Sequence, residues 1–575
     1  MDADRSRRLF FALAICLGLA TLHLAGNIAW FRLDRGIPAA DDAHHRRLAL
    51  EYERLLLETA DAPGLLERIS AREVAYPPLS HLVAAACRML LPIGRDWIGL
   101  AGCFWLALLL LGAYGLAERL GGRGSGPATA VLLASFPMVY IQTRYSMLEL
   151  PVAALAALAT LFLVRSGGLQ RSAEAAGFGI VAGLGMLTKF TFPIFVASPL
   201  AMTAWTAARA RGRRRSRALR FAGNLALAGL VALAISSWWY ASRWEERGNW
   251  LRRSGSLGEQ SYPTSWRDPL GAAYYLMAVT AYPGMLPYLA AAAAGAWAMA
   301  RRRHPALGHL LAFVAVPWLA LTLIRIKWGD YFLAALWPLA LLATIGFERV
   351  FRASDADESI SSAPGKSMAL LGACMLGAVL WWLTGFGIDL KLPPERQPWP
   401  LASNLMLGPM RLLKARVLGI GEHSDSGFYK EDWWGYTGIP YPLDAVLDAV
   451  AACPDGALVG LQGDTMLFAD RETFAWAGFR ADLTQRFVGL EETTAYNPEE
   501  LQGLVLHRAG PELPPVASFA ELAQAAPEIP SPLPGNLTRV PFYRLALIPS
   551  HSCTIHVYRR DEPQGLLPAP PGHVR

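Results

Sequence analysis

The sequence predicts a polytopic α-helical membrane protein with a soluble α/β domain at its C-terminal end. The chain has 575 residues, of which 53% are hydrophobic and only 17% are charged. Apolar runs of the length needed to cross a bilayer recur up to Phe386, and we count about eleven of them. From Asp389 onward the composition becomes proline-rich and polar, with short apolar strands between helical patterns. We therefore expect a transmembrane module at residues 1–388 and a soluble domain at residues 389–575.

The net charge of +7 reflects basic residues that are dispersed at the ends of the apolar runs. They form no nucleic-acid-binding motif, so we attribute them to membrane topology and expect no nucleic-acid partner. The six cysteines show no zinc-site spacing. Cys453 and Cys553 lie in the polar tail, where they could form a disulfide if that tail is extracytoplasmic, and the sequence leaves this open.

The first three elements set the topology. The run from Leu9 to Trp30 follows several arginines and lacks a convincing cleavage site, which indicates a signal anchor with its N-terminus in the cytoplasm. The stretch from Leu48 to Ile69 mixes charges with leucines at helical spacing, which predicts a helix lying on the membrane. If the next apolar run, from Tyr76 to Pro92, crossed the bilayer, the arginine cluster from Arg209 to Arg220 would face outward, against the positive-inside rule. We therefore expect a juxtamembrane or re-entrant helix on the outer side.

The later elements follow from the same rule, which places the arginines inside and the tail outside. The remaining predicted spans are Trp97 to Leu116, Pro127 to Ile141, Pro151 to Val164, Ala173 to Thr188, Phe190 to Trp205, Leu219 to Tyr240, Pro283 to Ala300, Leu307 to Ile324, Tyr331 to Ile345 and Met368 to Phe386. In the tail we predict a helix at Pro442 to Ala452 and strands at Ala457 to Leu461, Leu504 to His507 and Phe542 to Ile548. The composition favours a bacterial inner membrane with the tail in the periplasm.

Charged residues collect at the outer ends of the predicted spans. Asp41 and Asp42 are a candidate catalytic pair, because adjacent carboxylates at a membrane surface are costly unless they pair or bind something. Lys189 interrupts an apolar stretch that is too long for one span and marks a tight hairpin. A carboxylate can take the proton of a hydroxyl or amine nucleophile, while lysine or arginine neutralises a departing phosphate. The residues thus favour transfer chemistry on a lipid phosphate.

Five motifs follow one another within residues 1–350. They are Asp41-Asp42, Tyr76-Pro77-Pro78-Leu79, Met147-Leu148-Glu149-Leu150-Pro151, Gly185-Met186-Leu187-Thr188-Lys189, and Lys327 with Tyr331-Phe332-Leu333. Their order, spacing and common sidedness resemble the polyprenyl-phosphate-sugar-dependent glycosyltransferases of the C-type fold, near the aminoarabinose transferases and protein O-mannosyltransferases. The resemblance implies a sugar donor on a polyprenyl phosphate and an envelope lipid, glycan or protein as acceptor.

The resemblance also implies roles for individual residues. Asp41 would be the catalytic base, assisted by Asp42, and Lys189 and Lys327 would lie near the donor phosphate. The sequence departs from the family where Tyr76 stands in place of a common lysine and Glu149 in place of an aspartate. The further residues that we expect at the substrate are Tyr76, Glu149, His44, Arg144, Arg252 and Tyr331. Arg46, Arg72 or Arg253 could take the place of Arg252 at the phosphate, and the sequence leaves this open.

Several alternatives stay open at this point. We expect no cofactor, although Asp41, Asp42, His44 and His45 could together bind a divalent metal. A transporter or flippase of lipid-linked sugars would carry similar charges, but transporters usually place ionisable groups near the bilayer midplane. A non-catalytic assembly protein whose tail binds envelope polysaccharide is the third possibility.

Overall fold

The computed structural model describes most of the first 354 residues and parts of the tail. The described residues are 2–33, 40–59, 64–91, 94–122, 124–209, 214–261, 267, 269–281, 285–324, 329–354, 443–451, 453, 455–462, 475–478, 481–483, 485–489, 503–509, 537–541 and 553–559. The chain divides into two compact units. Unit 1 comprises Met1–Phe31, Glu51–Lys391 and Pro398–Ser426, and unit 2 comprises Arg32–Leu50, Leu392–Gln397 and Gly427–Arg575.

Helices dominate the first part of the chain. In order they are α1 (Asp2–Leu33), α2 (Ala40–Thr59), α3 (Leu65–Arg72), α4 (Leu79–Leu90), α5 (Gly102–Leu120), α6 (Ser125–Ala134), α7 (Pro137–Gln142), α8 (Glu149–Arg165), α9 (Ser172–Met186), α10 (Phe192–Arg209), α11 (Arg214–Ser242), α12 (Trp244–Ser261), α13 (Pro269–Ala281), α14 (Met285–Arg301), α15 (Leu307–Leu323) and α16 (Trp337–Ser354). Short 3-10 helices at Arg95–Ala101 and Gly329–Ala335 precede α5 and α16.

Several of these helices suit a membrane by length and composition. Among the described residues, the segments Leu9–Ile28, Ile98–Leu120 and Ser216–Ser242 are each long and apolar enough to cross alone. Two bent pairs, Gly271–Thr280 with Met285–Arg301 and Gly329–Ala335 with Trp337–Phe347, would raise the number from three to five. The predicted total of about eleven spans remains a prediction, and the span predicted at Met368 to Phe386 lies outside the described residues.

Two predicted spans are broken in the structure. The run predicted from Pro127 to Ile141 forms α6 and α7, because Pro137 lacks an N–H and starts a new helix at its N-terminal position. The run predicted from Tyr331 begins instead as a 3-10 helix and bends by 44° before α16. Helices α12 and α13 lie between predicted spans and were not predicted.

The surface helix predicted from Leu48 to Ile69 consists of two helices. The first, α2, already begins at Ala40, so that Asp41 and Asp42 lie in its first turn. Acidic side chains are favourable there because the helix dipole is positive at its N-terminus. The second, α3, starts after Gly64, whose φ of 82° is left-handed and favours glycine.

Helix α4 has 12 residues. At 1.5 Å per residue it spans only about 18 Å, which is short of a hydrocarbon core of about 30 Å. This length agrees with the predicted juxtamembrane or re-entrant helix. The hairpin predicted at Lys189 is confirmed, since α9 ends at Met186 and α10 begins at Phe192.

Glycines allow close packing of helices in unit 1. A Cβ built on Gly295 of α14 would lie 2.1 Å from the carbonyl oxygen of Leu342 on α16. A Cβ on Gly346 would lie 2.3 Å from the Cα of Gly295. Small residues at such crossings are typical of membrane helices, which gain van der Waals contact by close backbone approach.

The described tail in unit 2 contains α17 (Leu443–Ala451) and strands β1 (Leu458–Gln462), β2 (Arg486–Gly489), β3 (Gly503–Ala509), β4 (Leu537–Pro541) and β5 (Cys553–Arg559). The strands form one sheet in the order β2-β1-β3-β5-β4. Strand β1 pairs parallel with β2 and β3, whereas β5 pairs antiparallel with β3 and β4.

Three predicted tail elements coincide with α17, β1 and β3, and the strand predicted at Phe542 to Ile548 lies outside the described residues. Cys453 is buried, while the side chain of Cys553 is outside the described ones, so the disulfide stays a prediction. The boundary of an independent periplasmic domain at residue 389 also stays a prediction.

Candidate active site

The α9–α10 hairpin holds Lys189 in a fixed turn. The Lys189 amide donates to the Gly185 carbonyl at 3.3 Å, and the Phe192 amide donates to the Lys189 carbonyl at 3.1 Å. A Cβ on Gly185 would lie 2.3 Å from the ring of Phe192, so that any larger residue would displace the ring. The glycine in this motif therefore allows the tight turn that positions the lysine.

Three of the predicted motifs meet at the ammonium group of Lys189. Its Nζ donates to Oε1 of Glu149 in the first turn of α8. The same Nζ lies 4.3 Å from the ring centroid of Tyr331, a cation–π contact. Glu149, Lys189 and Tyr331 are far apart in sequence, and the structure brings them together within unit 1. We call these three residues the lysine cluster.

Glu149 keeps one oxygen available within this cluster. The residue is only 3% exposed, and among the described residues its Oε2 has no hydrogen-bond partner. A buried carboxylate oxygen without a donor is costly, so a ligand hydroxyl or amine that donates to it would be stabilised. The cluster can thus present both a cation and an acceptor to a bound molecule.

The Tyr76 motif packs against the same hairpin. The Leu79 amide donates to the Leu187 carbonyl at 2.9 Å, which joins the start of α4 to the turn. Tyr76 contacts Trp250 of α12 at 6.1 Å between ring centroids, and Trp250 stacks on Phe190 at 5.9 Å. Four of the five motifs are therefore represented around Lys189.

Arg144 and Arg252, two of the predicted substrate residues, lie in different environments. Arg144 is 3% exposed, donates from Nε to Oδ1 of Asn27 at 3.1 Å, and lies 5.1 Å above the ring of Tyr140. These contacts tie the end of α7 to α1. Arg252 is exposed on α12 and donates to Asn249 on the same helix. Lys327 lies outside the described residues.

The candidate catalytic pair lies in unit 2, where its two carboxylates differ. Asp42 is 5% exposed, and both of its carboxylate oxygens accept hydrogen bonds from Arg46 Nε at 3.1 Å. Nη2 of the same arginine lies 3.0 Å from Oδ2 and completes an ion pair. Asp41 is exposed. His44 lies 3.2 Å from Arg47 between Nδ1 and Nη2. Asp42 is thus held by a cation four residues along α2, while Asp41 is open to solvent.

No group of three or more histidine, cysteine, aspartate or glutamate side chains lies close enough to hold a metal in the described part of the chain. The arginine on Asp42 also occupies oxygens that a metal would need. The residues predicted as possible metal ligands therefore fit an ion poorly as they stand, and metal independence stays a prediction.

Two contributors to this site were not predicted from sequence. Phe190 and Trp250 connect the Lys189 hairpin to α12 by stacked rings. Its position directly after Lys189 could have identified Phe190 as part of the site. Trp250 lies in a polar stretch with low mean hydropathy, so its helix was not identified.

Comparison with known proteins identifies the fold. Residues 76–240 match the family model described as dolichyl-phosphate-mannose-protein mannosyltransferase. The fold is similar to that of ArnT from Cupriavidus metallidurans bound to undecaprenyl phosphate, with a TM-score of 0.54, 16% identity, and coverage of 94% of this chain and 98% of ArnT. No curated protein matches the sequence.

Two further solved structures are similar. The archaeal oligosaccharyltransferase AglB from Archaeoglobus fulgidus, in complex with an inhibitory peptide and a dolichol-phosphate, has a TM-score of 0.50 and 10% identity over 87% of this chain and 69% of its own. The mycobacterial arabinofuranosyltransferase AftD has a TM-score of 0.50 and 14% identity over 96% of this chain, which spans only 40% of AftD. The C-type fold that the motifs implied is thereby confirmed, as is the resemblance to these membrane glycosyltransferases.

Proposed function

We propose that the chain is an integral membrane glycosyltransferase that moves a sugar from a polyprenyl-phosphate donor to an envelope acceptor on the periplasmic side. The observation that carries this proposal is the lysine cluster, in which Glu149, Lys189 and Tyr331 converge from three motifs. The cation suits a phosphate that must leave from a sugar, and the available carboxylate oxygen of Glu149 suits a sugar hydroxyl that donates to it. The structurally similar proteins support this donor class, since ArnT is bound to undecaprenyl phosphate and AglB to a dolichol-phosphate.

The reaction is a single displacement at the anomeric carbon. An acceptor hydroxyl or amine attacks that carbon, and the bond from the carbon to the phosphate oxygen breaks. The acceptor's proton passes to the Asp41 carboxylate, and the electron pair of the broken bond leaves with the polyprenyl phosphate. Because attack and departure take place on opposite faces of the sugar, the configuration inverts.

Asp41 and Asp42 take different parts in this mechanism. The exposed carboxylate of Asp41 can reach an incoming acceptor, which a general base requires. Asp42 is engaged by the fork of Arg46, so it orients the first turn of α2 instead of accepting a proton. His44, on the same turn, is the residue that we propose beside the acceptor.

Lys189 stabilises the departing phosphate. Glu149 and the ring of Tyr331 hold its ammonium group before the donor binds, so the cation is already oriented when charge develops on the phosphate oxygens. Lys327 would share this work, with Tyr76, Arg144 and Arg252 as further substrate contacts carried over from the motifs. Phosphate is a good leaving group when it is neutralised in this way, so no strong general acid is needed.

This mechanism uses no metal, because Asp41 takes the acceptor's proton and Lys189 stabilises the charge on the departing phosphate. We therefore expect transfer by the purified full-length protein to survive exhaustive chelation with EDTA. The measurement is turnover before and after chelation, with a second sample to which Mg²⁺ is returned. Loss of turnover that Mg²⁺ restores would contradict the metal-free mechanism.

The proposed function is tested with the full-length protein in lipid vesicles. A polyprenyl-phosphate-linked sugar is added together with an envelope extract as the source of acceptors, and free polyprenyl phosphate is measured by mass spectrometry. We expect release of polyprenyl phosphate together with a sugar-modified acceptor. Movement of the intact donor across the vesicle membrane without release of phosphate would instead favour a flippase.

A further inference from the structure

The C-terminal end of α3 is held by side chains from α2, from α12 and from the junction between α11 and α12. A helix leaves its last four carbonyl groups without partners in the helix. In α3 the carbonyl oxygens of three successive residues each accept a bond from elsewhere in unit 1: Ile69 from Tyr52 Oη at 3.3 Å, Ser70 from Arg247 Nη2 at 3.0 Å, and Ala71 from Arg243 Nη1 at 3.2 Å. Two cations at the negative end of a helix are also favourable for its dipole.

Arg247 is the buried one of the two cations at this helix end. It is 2% exposed, its guanidinium carbon lies 3.8 Å from the ring centroid of Trp239, and its Nη1 donates to Ser242 Oγ at 3.1 Å. Glu246, its neighbour in sequence, pairs with Arg243 instead. Burial and the charge of Arg243 lower the pKa of Arg247 to about 10, which leaves the guanidinium charged at neutral pH.

A buried cation is costly, and an apolar residue would fill the same space at a lower cost. Arginine provides what an apolar residue lacks, namely a planar fork that donates to two oxygens while its face stacks on an indole. The geometry thus uses both properties that distinguish arginine from lysine.

Arg247 is connected to Lys189 by two routes. Through the backbone, α3 leads from Ser70 to the Tyr76 motif, and the Leu79 amide donates to the Leu187 carbonyl, two residues before Lys189. Through side chains, the ring of Trp239 contacts Phe190 at 5.7 Å. Phe190 is the residue directly after Lys189. Arg247 therefore constrains the hairpin on both sides of the lysine.

We propose that Arg247 is a positioning residue for the transfer reaction, which sets the orientation of the Lys189 ammonium by joining the end of α3 to Trp239. This inference rests on the proposed function, because it assigns Lys189 to the donor phosphate. Arg247 itself does not touch the substrate. Its replacement should therefore weaken phosphate binding only as long as Lys189 is present.

The test is a double-mutant cycle on binding of a sugar-free polyprenyl phosphate to the full-length protein in lipid nanodiscs. The variants are Arg247→Lys, Lys189→Met and the double variant, and the dissociation constant is measured for each. We expect Arg247→Lys to weaken binding about tenfold and to add nothing in the Lys189→Met background, since residues that act as one unit are not additive. In the transfer assay, Arg247→Lys should raise the donor KM and leave the acceptor KM unchanged.

Arg301→Lys is the matched control. Arg301 also lies over a tryptophan, with 4.7 Å between its guanidinium carbon and the Trp297 ring centroid, but it is exposed. Binding by this variant should equal that of the unmodified protein. If Arg247→Lys fails to fold, Tyr52→Phe removes another donor from the same helix end and should show a smaller effect with the same dependence on Lys189.

The outcomes separate the two proposals. Additive effects of Arg247→Lys and Lys189→Met, or unchanged binding by Arg247→Lys, would overturn the positioning role while the proposed function stands. Failure of the unmodified protein to bind polyprenyl phosphate would overturn the proposed function and this inference with it.

Discussion

At the scale of single residues, neighbours in sequence differ in what they can do. Asp42 is buried and held by Arg46, while the adjacent Asp41 is exposed. Both carboxylate oxygens of Asp42 are engaged by the Arg46 guanidinium, which holds them against the first turn of α2. The structure thus separates a candidate base from a candidate support within one helical turn.

The first prediction follows from this difference. Asp41→Asn should lower turnover by at least about a hundredfold with little change in donor binding, since a general base contributes about 10²–10⁴ in rate. Asp42→Asn should instead lower thermal stability, because Arg46 loses a charged partner in a buried site. Turnover and melting temperature of the two full-length variants would check this, and substantial turnover by Asp41→Asn would reject the assignment.

The second prediction concerns the ring above Lys189. Tyr331→Phe keeps a π face over the ammonium, whereas Tyr331→Leu removes it. We expect Tyr331→Phe to stay near the donor KM of the unmodified protein and Tyr331→Leu to raise that KM by about fivefold, within the range of a cation–π contact. Equal effects of both substitutions would point to the hydroxyl group and contradict this role for the ring.

At the scale of elements, the hairpin between α9 and α10 carries the site. Its turn is joined to α4 by the Leu79–Leu187 hydrogen bond, and the Tyr240 hydroxyl of α11 donates to the Met186 carbonyl at 2.8 Å. Because these bonds fix the backbone on the N-terminal side of Lys189, the lysine side chain starts from a defined position. Such preorganisation is what electrostatic stabilisation of a leaving group needs.

Gly185→Ala tests the hairpin directly. The added Cβ would meet the Phe192 ring at 2.3 Å, so we expect a loss of about 1–3 kcal/mol in stability and a parallel loss of activity. Gly229→Ala in α11 is the control, because a Cβ there meets no atom within 4 Å and alanine favours a helix. Melting temperatures of the two variants should move in opposite directions. A Gly185→Ala variant as stable as the control would contradict the packing argument.

The hairpin was predictable from sequence because Lys189 interrupts an apolar stretch that no single span could accommodate. Pro137 also indicated a break between α6 and α7, because proline favours the start of a helix. The apolar composition on both sides of it nevertheless predicted a single span. Helices α12 and α13 were missed because α12 is too polar to read as a span and α13 is only 13 residues long. A helix as short as α13 is stabilised by tertiary contacts more than by its own sequence.

The contacts within the lysine cluster could not be predicted from the sequence. The resemblance identified Glu149, Lys189 and Tyr331 as substrate residues, but nothing local to their motifs predicted a salt bridge or a ring contact among them. Contacts between positions so distant along the chain depend on how the helices pack. The different environments of Asp41 and Asp42 likewise depend on where α2 begins. Because the helix already starts at Ala40, Asp42 and Arg46 form an i,i+4 pair within it.

At the scale of the whole molecule, the membrane topology decides whether the site faces the donor and the acceptor. The positive-inside rule predicts arginines such as Arg302 in the cytoplasm and the C-terminal tail in the periplasm. The fold is the C-type glycosyltransferase fold, and this architecture agrees with a multi-pass membrane protein.

Reporter fusions test this orientation. Alkaline phosphatase, which is active only in the periplasm, should be active when fused after Arg575 and inactive when fused after Arg302. Immunoblots of both fusions control for expression. The reverse pattern of activity would place the arginines outside and require a different sidedness for the candidate site.

The most direct test of the central claim is mass spectrometry of envelope lipids, glycans and surface proteins. The samples are a deletion strain, the same strain complemented with the unmodified gene, and the strain complemented with Asp41→Asn. We predict that the deletion strain loses one sugar from a defined acceptor and accumulates the polyprenyl-phosphate-linked donor, and that only the unmodified gene restores the sugar. Full restoration by Asp41→Asn would contradict the proposed transferase mechanism.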